Sequence, residues 1–207
     1  LLKEVSFLRL RSFISGVISL ILTAIVIGLT ANLVAPDIYG NVSRSITKEI
    51  KNISSSLNSF KKEDETLWSF FVDEPSTDNE FKNNIRILEK LIPLYKSKDS
   101  VALFAYNKLF TILNDAEEKY PNKMKQYPMT STMVSSVINT YTEFSIAMQN
   151  KFISLQEYYN AHLENNPSVN SFWNKVLITQ EELESKQAKY LQASQKFSDL
   201  QATQNSK

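Results

Sequence analysis

His162 is the only histidine in the chain and cysteine is absent, so a histidine-pair metal site, a thiolate metal site and a Cys-His nucleophile arrangement are all excluded within one copy. His162 lies beside Leu163 and one turn from Tyr158 and Tyr159, a setting that suits a histidine on a helix surface or at the edge of a core. Phosphate-cradling loops need closely spaced glycines, whereas Gly16, Gly28 and Gly40 are scattered. The carboxylates form the clusters KEDE, DAEEK and QEELE, without the Glu-x-x-His spacing of di-metal helical bundles, and read as solvated helix faces. No catalytic set, metal site or cofactor is therefore expected, and an enzyme would need a partner chain to complete its site.

Aromatic residues are the other candidates. Trp68, Phe70 and Phe71 bunch in LWSFF, and Phe172 with Trp173 opens the last helical stretch. Such rings fill cores first, but they also suit a ligand pocket, a partner surface or a position near lipid headgroups.

The elements that must position these residues are helical. Three glycines and six prolines are a poor supply for the turns of a sheet-rich fold. After Pro36, Val42, Ile46, Ile50, Ile53, Leu57 and Phe60 step by three or four residues, which predicts a first amphipathic helix. VDEPSTDN breaks the pattern, and Thr77 with Glu80 has capping-box spacing, predicting a short helix that carries Phe81, Ile85, Leu88 and Ile92 and ends near Pro93. Asp99 or Ser100 would cap the next helix, with Leu103, Tyr106, Leu109, Phe110, Leu113 and Ala116 as its stripe until KYPNKMKQYP stops it. The longest helix is expected from about Thr130 to Asn165, with Met133, Val137, Tyr141, Phe144, Met148, Phe152, Leu155 and Tyr159 on one face. A last helix from near Asn170 repeats Val176, Leu183, Tyr190 and Phe197 every seven residues, with polar Gln180, Gln187 and Ser194 between them; it can dock on the bundle or join a weak coiled coil. Stripes of this kind pack through short loops into an all-α antiparallel bundle of about four to five helices.

Ahead of this domain, residues 12–36 carry no ionisable group. About 20 such residues cross a bilayer, so Ser12 to Pro36 reads as a transmembrane helix, preceded by a short segment at 1–11 and followed by the domain at 37–207. Lys3, Arg9 and Arg11 lie closer to the span than Arg44, Lys48 and Lys51, which favours a cytoplasmic N-terminus and an extracytoplasmic domain. Ser15, Ser19 and Thr23, with Gly16, Ala24 and Gly28, form small-residue rows that could admit another membrane helix. With 23 basic against 22 acidic residues the chain lacks the concentrated positive charge of a nucleic-acid binder.

EEKYPN at 117–122 and LQEYYNAHLENNPS at 155–168 resemble the bacterial LemA proteins, in which a helix ends near a Tyr-Pro turn and the next long helix carries aromatic-Asn pairs before a Pro-Ser turn. Phe152, Tyr159-Asn160 and Pro167-Ser168 fall near that register, and LNSF, LWS and the LIP of Leu91 to Pro93 are similar to first-half signatures. The resemblance implies a membrane-tethered bacterial helical bundle and assigns no catalytic residue. Together these readings point to a non-enzymatic, membrane-anchored interaction or scaffold module in a membrane or envelope complex, with the lipid bilayer and a protein partner or a second copy as its contacts. The alternative is a bundle that senses a ligand or lipid in a pocket near Trp68 or Trp173.

Overall fold

The computed structural model describes residue 60, residues 63–125 and residues 130–204. All regular structure among the described residues is helical: α1 (Asp78–Lys119), α2 (Pro121–Met124), α3 (Ser131–Leu163) and α4 (Val169–Gln204), with a short helical segment at 63–69 ahead of α1. Ser12 to Pro36, its small-residue rows (Ser15, Gly16, Ser19, Thr23, Ala24, Gly28) and the first amphipathic helix up to Phe60 lie outside the described residues. Among the described residues no helix is long and apolar enough to cross a membrane.

α1 begins where the capping box places it. Thr77 is extended, its hydroxyl accepts from the Glu80 N–H at 3.4 Å, and Glu80 Oε2 accepts in return from the Thr77 N–H at 3.0 Å and the Ser76 N–H at 2.8 Å. Those backbone donors, Ser76 first, hold the Glu80 carboxyl below the usual range.

The expected stop at Pro93 is absent. α1 runs unbroken for 42 residues, and what reads as two helices in sequence is one. A proline within a helix costs about 3 kcal/mol through its missing N–H and its ring. Pro93 sits on the exposed side, while Leu88, Leu91, Tyr95, Ala102, Leu109 and Leu113 keep an unbroken buried stripe across it, and burial of that stripe offsets the cost. Asp99, expected as a cap, is buried inside the helix, and the Ser100 hydroxyl donates back to the Lys96 carbonyl at 2.9 Å. Consequently α3, at 33 residues, is not the longest element; α1 and the 36-residue α4 both exceed it.

α3 starts at the N-cap Thr130, whose hydroxyl accepts from the Met133 N–H. It ends with Asn165 in the left-handed region at φ 51°, the Asn166 N–H reaching back to the Ala161 carbonyl and the Asn165 N–H to that of His162. This is a Schellman closure with asparagine in the position glycine most often fills.

The three long helices pack antiparallel about α3. Phe81 meets Tyr159, Tyr95 meets Phe152, Tyr106 meets Tyr141, and Glu117 bonds Ser131, so α1 runs against α3. Trp173 meets Tyr158, Lys175 bonds Glu157 and Lys186 bonds Glu143, so α4 runs back along α3. Val176, Leu183 and Tyr190 are buried on it, so α4 docks on the bundle through one stripe; the side chains of Ser194 and Phe197 lie outside the described residues.

The segment 63–72 is pinned to this frame by Trp68, with its ring 5.8 Å from that of Phe152, and by Asn84. The Asn84 carboxamide, fully buried, accepts from the Val72 N–H at 2.9 Å and donates to the Val72 carbonyl at 2.7 Å, as a neighbouring strand would. Asn84→Ala leaves both backbone groups unpaired and should cost about 1–3 kcal/mol in urea unfolding. A loss of only a few tenths would mean that Trp68 and Phe71 hold the segment without it.

Candidate functional site

The long stripe of α1 carries a charged pair, Lys98 and Asp99, at positions that helical geometry turns inward. Across from it, Tyr141, Ser145 and Gln149 succeed one another at four-residue steps on α3 and present three donors. The Tyr141 hydroxyl donates to Asp99 Oδ1 at 2.8 Å, the Ser145 hydroxyl donates to Oδ2, and the Gln149 amide donates to Oδ2 at 3.0 Å. Lys98 places its ammonium 4.7 Å from the centre of the Tyr95 ring. Burial lowers its pKa, and the carboxylates of Asp64, on the 63–69 segment, and Asp99 oppose that shift. Three elements thus converge on a buried group of two carboxylates and one ammonium.

Tyrosines surround this group. Burial, reinforced by Asp64, raises Tyr95 well above the ordinary phenol range, and burial with Asp99 does the same for Tyr141. Burial pushes Tyr106 up to about 12. The Tyr190 ring lies 5.3 Å from that of Tyr141 and stacks on Phe144 at 5.6 Å, and burial, then Tyr106 and Tyr141, raises its pKa as well.

A second polar layer joins α3 to α4. Lys151, 2% exposed, donates to the Val176 carbonyl at 3.0 Å, which also accepts from the Thr179 hydroxyl at 3.0 Å. Ser154 and Thr179 share a hydrogen bond of 3.1 Å beside it. Burial lowers Lys151 to about 8, and the charge of Glu184 works the other way.

Chemically, both layers fasten helices. The carboxylate and amines that could move protons are enclosed and engaged with neighbouring helices. Among the described residues no group of three or more His, Cys, Asp and Glu side chains is placed to hold a metal ion. His162 is exposed and its ring stacks on Phe81 at 4.1 Å.

The five aromatics singled out by sequence do not form one face. Trp68 is a core residue, packed edge-on to Phe71 at 5.0 Å and tilted against Phe152, because the 63–69 segment turns it inward; it is no part of an open surface. Phe71 is half-buried and faces Tyr159, and Phe172 is half-buried. Phe70, 64% exposed, and Trp173, resting on Tyr158 at 5.0 Å, remain open to solvent.

Sequence reasoning passed over Lys98 and Lys151, and it misplaced two others: Asp99, expected as a cap, is a buried acceptor, and Asp64, expected on a solvated face with the rest of KEDE, is buried at 4% exposure where its charge acts on Lys98. A signal for two of them is present: Asp99 lies in register with Tyr95, Ala102 and Tyr106, and Lys151 with Phe144, Met148 and Leu155, so each is a charge on an apolar stripe. No family model matches the chain, and comparison with curated proteins and with solved structures finds no match.

Proposed function

We propose that this protein is a non-enzymatic helical interaction module, tethered through Ser12 to Pro36 and serving as a subunit or accessory of a membrane or envelope complex, with its N-terminus in the cytoplasm and its domain outside. The apolar run supplies the tether, and the plan agrees with that of the LemA-like proteins the chain resembles. One observation carries the interaction role. On the outer face of α3, Ile146 and Ile153 stand one seven-residue repeat apart and are 53% and 38% exposed among polar neighbours, while the buried residues of that helix pack against α1 and α4. Two large aliphatic side chains in one stripe are surface that a second protein, or a second copy, gains by covering.

Crosslinking in intact membranes followed by purification in mild detergent tests the reading. The wild-type chain is expected to carry a stoichiometric partner or a second copy. Ile146→Asp with Ile153→Asp is expected to lose it while keeping the wild-type helical signal and melting temperature. Recovery of the wild-type chain alone, as a monomer, would overturn the proposal.

A further inference from the structure

We propose that the outer face of α3 is covered by a second copy of this chain, lying antiparallel across a twofold axis at Asn150; this rests on the interaction surface described above and names its occupant. The ground is the order of residues along that face. From Asn150, helical steps of three and four residues reach Ile146 and Ile153, then Glu143 and Glu157, then Asn139 and Asn160. Read in either direction the stripe is Asn, Glu, Ile, Asn, Ile, Glu, Asn. Glu157 is half-buried and the other six are exposed. The sides of α3 that its neighbours cover carry different residues, Ser145 and Phe152 toward α1 and Phe144 and Ser154 toward α4.

A stripe that reads the same both ways is its own complement. In a twofold pair residue i of one copy meets residue j of the other and j meets i, so one face must serve as both halves of the contact. Turned end for end about Asn150, the stripe sets Ile146 of each copy on Ile153 of the other and brings Glu143 level with Glu157. Asn150 meets its own counterpart. Each carboxamide has both a donor and an acceptor, so the two can bond reciprocally. A slip of one turn would set each Asn150 against an isoleucine, and the asparagine therefore fixes the register, as a single polar residue does in an apolar helix seam.

Charge on α4 completes the match. Glutamates of the two copies at one level would repel each other if they stood alone. Lys186 bonds Glu143 at 2.9 Å and Lys175 bonds Glu157 at 2.6 Å, so each end of the contact brings two carboxylates together with two ammoniums. The lysines repeat the symmetry of the stripe. An identical copy thus meets no net charge, whereas a partner of one sign gains nothing from ends that are already neutral. Two isoleucines from each copy place the contact at the small, weak end of protein interfaces, and confinement of both copies to one membrane raises their effective concentration.

The chain has no cysteine, so single introduced thiols report position. The full chain carrying Asn150→Cys, Asn139→Cys or Asn160→Cys is treated in cell membranes with a short bismaleimide, and chain dimers are read on a denaturing gel. Asn150→Cys is expected to crosslink to itself. Asn139→Cys and Asn160→Cys, whose like positions lie about 30 Å apart along the axis of an antiparallel pair, are each expected to crosslink alone several-fold less and to recover when the two are co-expressed. Adding Ile146→Asp and Ile153→Asp to Asn150→Cys is expected to abolish the dimer. Self-crosslinking at 139 as strong as at 150 means a parallel or unordered pair and overturns the twofold contact. A dimer that survives both aspartates places the contact elsewhere and overturns it as well. Absence of chain dimers, with a different protein held stoichiometrically by the wild-type chain and released by the two aspartates, overturns the second copy and leaves the interaction reading standing. A wild-type chain recovered alone, with no crosslink at any position, overturns both.

Discussion

Asp99→Ala should lower stability by about 3–5 kcal/mol, the cost of breaking a buried charged set by removing one member. The carboxylate is the common acceptor for Tyr141, Ser145 and Gln149, so its loss leaves two buried donors from α3, Tyr141 and Ser145, and the half-buried Gln149 amide without this partner. It also leaves Lys98 with Asp64 as its remaining carboxylate. Removing donors singly is milder: Tyr141→Phe or Ser145→Ala should cost about 1 kcal/mol, because the carboxylate keeps its other partners. Urea unfolding at pH 7 measures all three, with the midpoint falling and the slope unchanged. A loss below about 1 kcal/mol for Asp99→Ala would mean that water reaches the carboxylate and the set is not enclosed.

Lys151→Met should act in the opposite direction. The lysine titrates at about 8 in the folded chain against an ordinary 10.5, so folding disfavours its charged form. Below about pH 8 the folded state bears the full penalty of the buried ammonium. Between pH 8 and 10.5 the unfolded chain holds a proton that the folded chain has released, so stability rises with pH. The shift corresponds to about 3 kcal/mol at pH 7, of which about 2 kcal/mol is regained between pH 8 and 10. Lys98, also lowered, adds to that rise in the same direction. Above pH 10 the raised tyrosines reverse it, because the unfolded chain then loses phenolic protons that the folded chain keeps. Methionine fills similar volume, and the Val176 carbonyl retains the Thr179 hydroxyl as donor. The variant should therefore be more stable than wild type at pH 7 by up to about 3 kcal/mol and should lose most of the rise between pH 8 and 10. Equal pH profiles for the two proteins would show that Lys151 is charged and hydrated in the fold.

Local signals were legible in the sequence where one residue type answers one geometric need. Thr77 with Glu80 starts α1 because hydroxyl and carboxylate satisfy backbone N–H groups that no helix can satisfy internally. Val176, Leu183 and Tyr190 mark the docking face of α4 for a similar reason, since only one stripe can be buried. Pro93 misleads because its local cost is plain in the sequence, whereas the compensation is spread over residues on both sides of it and over a partner helix. Asp99 misleads because an aspartate near a proline fits a cap, and its three donors lie more than 40 residues away. Trp68 belongs to a segment whose placement depends on Asn84, so its choice between core and surface is a tertiary matter. Lys151 was hidden because a single lysine in a polar-speckled helix is unremarkable until α4 covers it.

The proposed function depends on Ser12 to Pro36 residing in lipid, and alkaline carbonate extraction of cell membranes tests that most directly. The full chain is expected to stay in the membrane pellet and to leave it only with detergent. Leu22→Asp with Val26→Asp, each placing a charge near the middle of the run at about 3 kcal/mol per residue, is expected to appear in the aqueous supernatant. A wild-type chain found in that supernatant as a detergent-independent monomer would contradict the tether, and with it the proposed place of work.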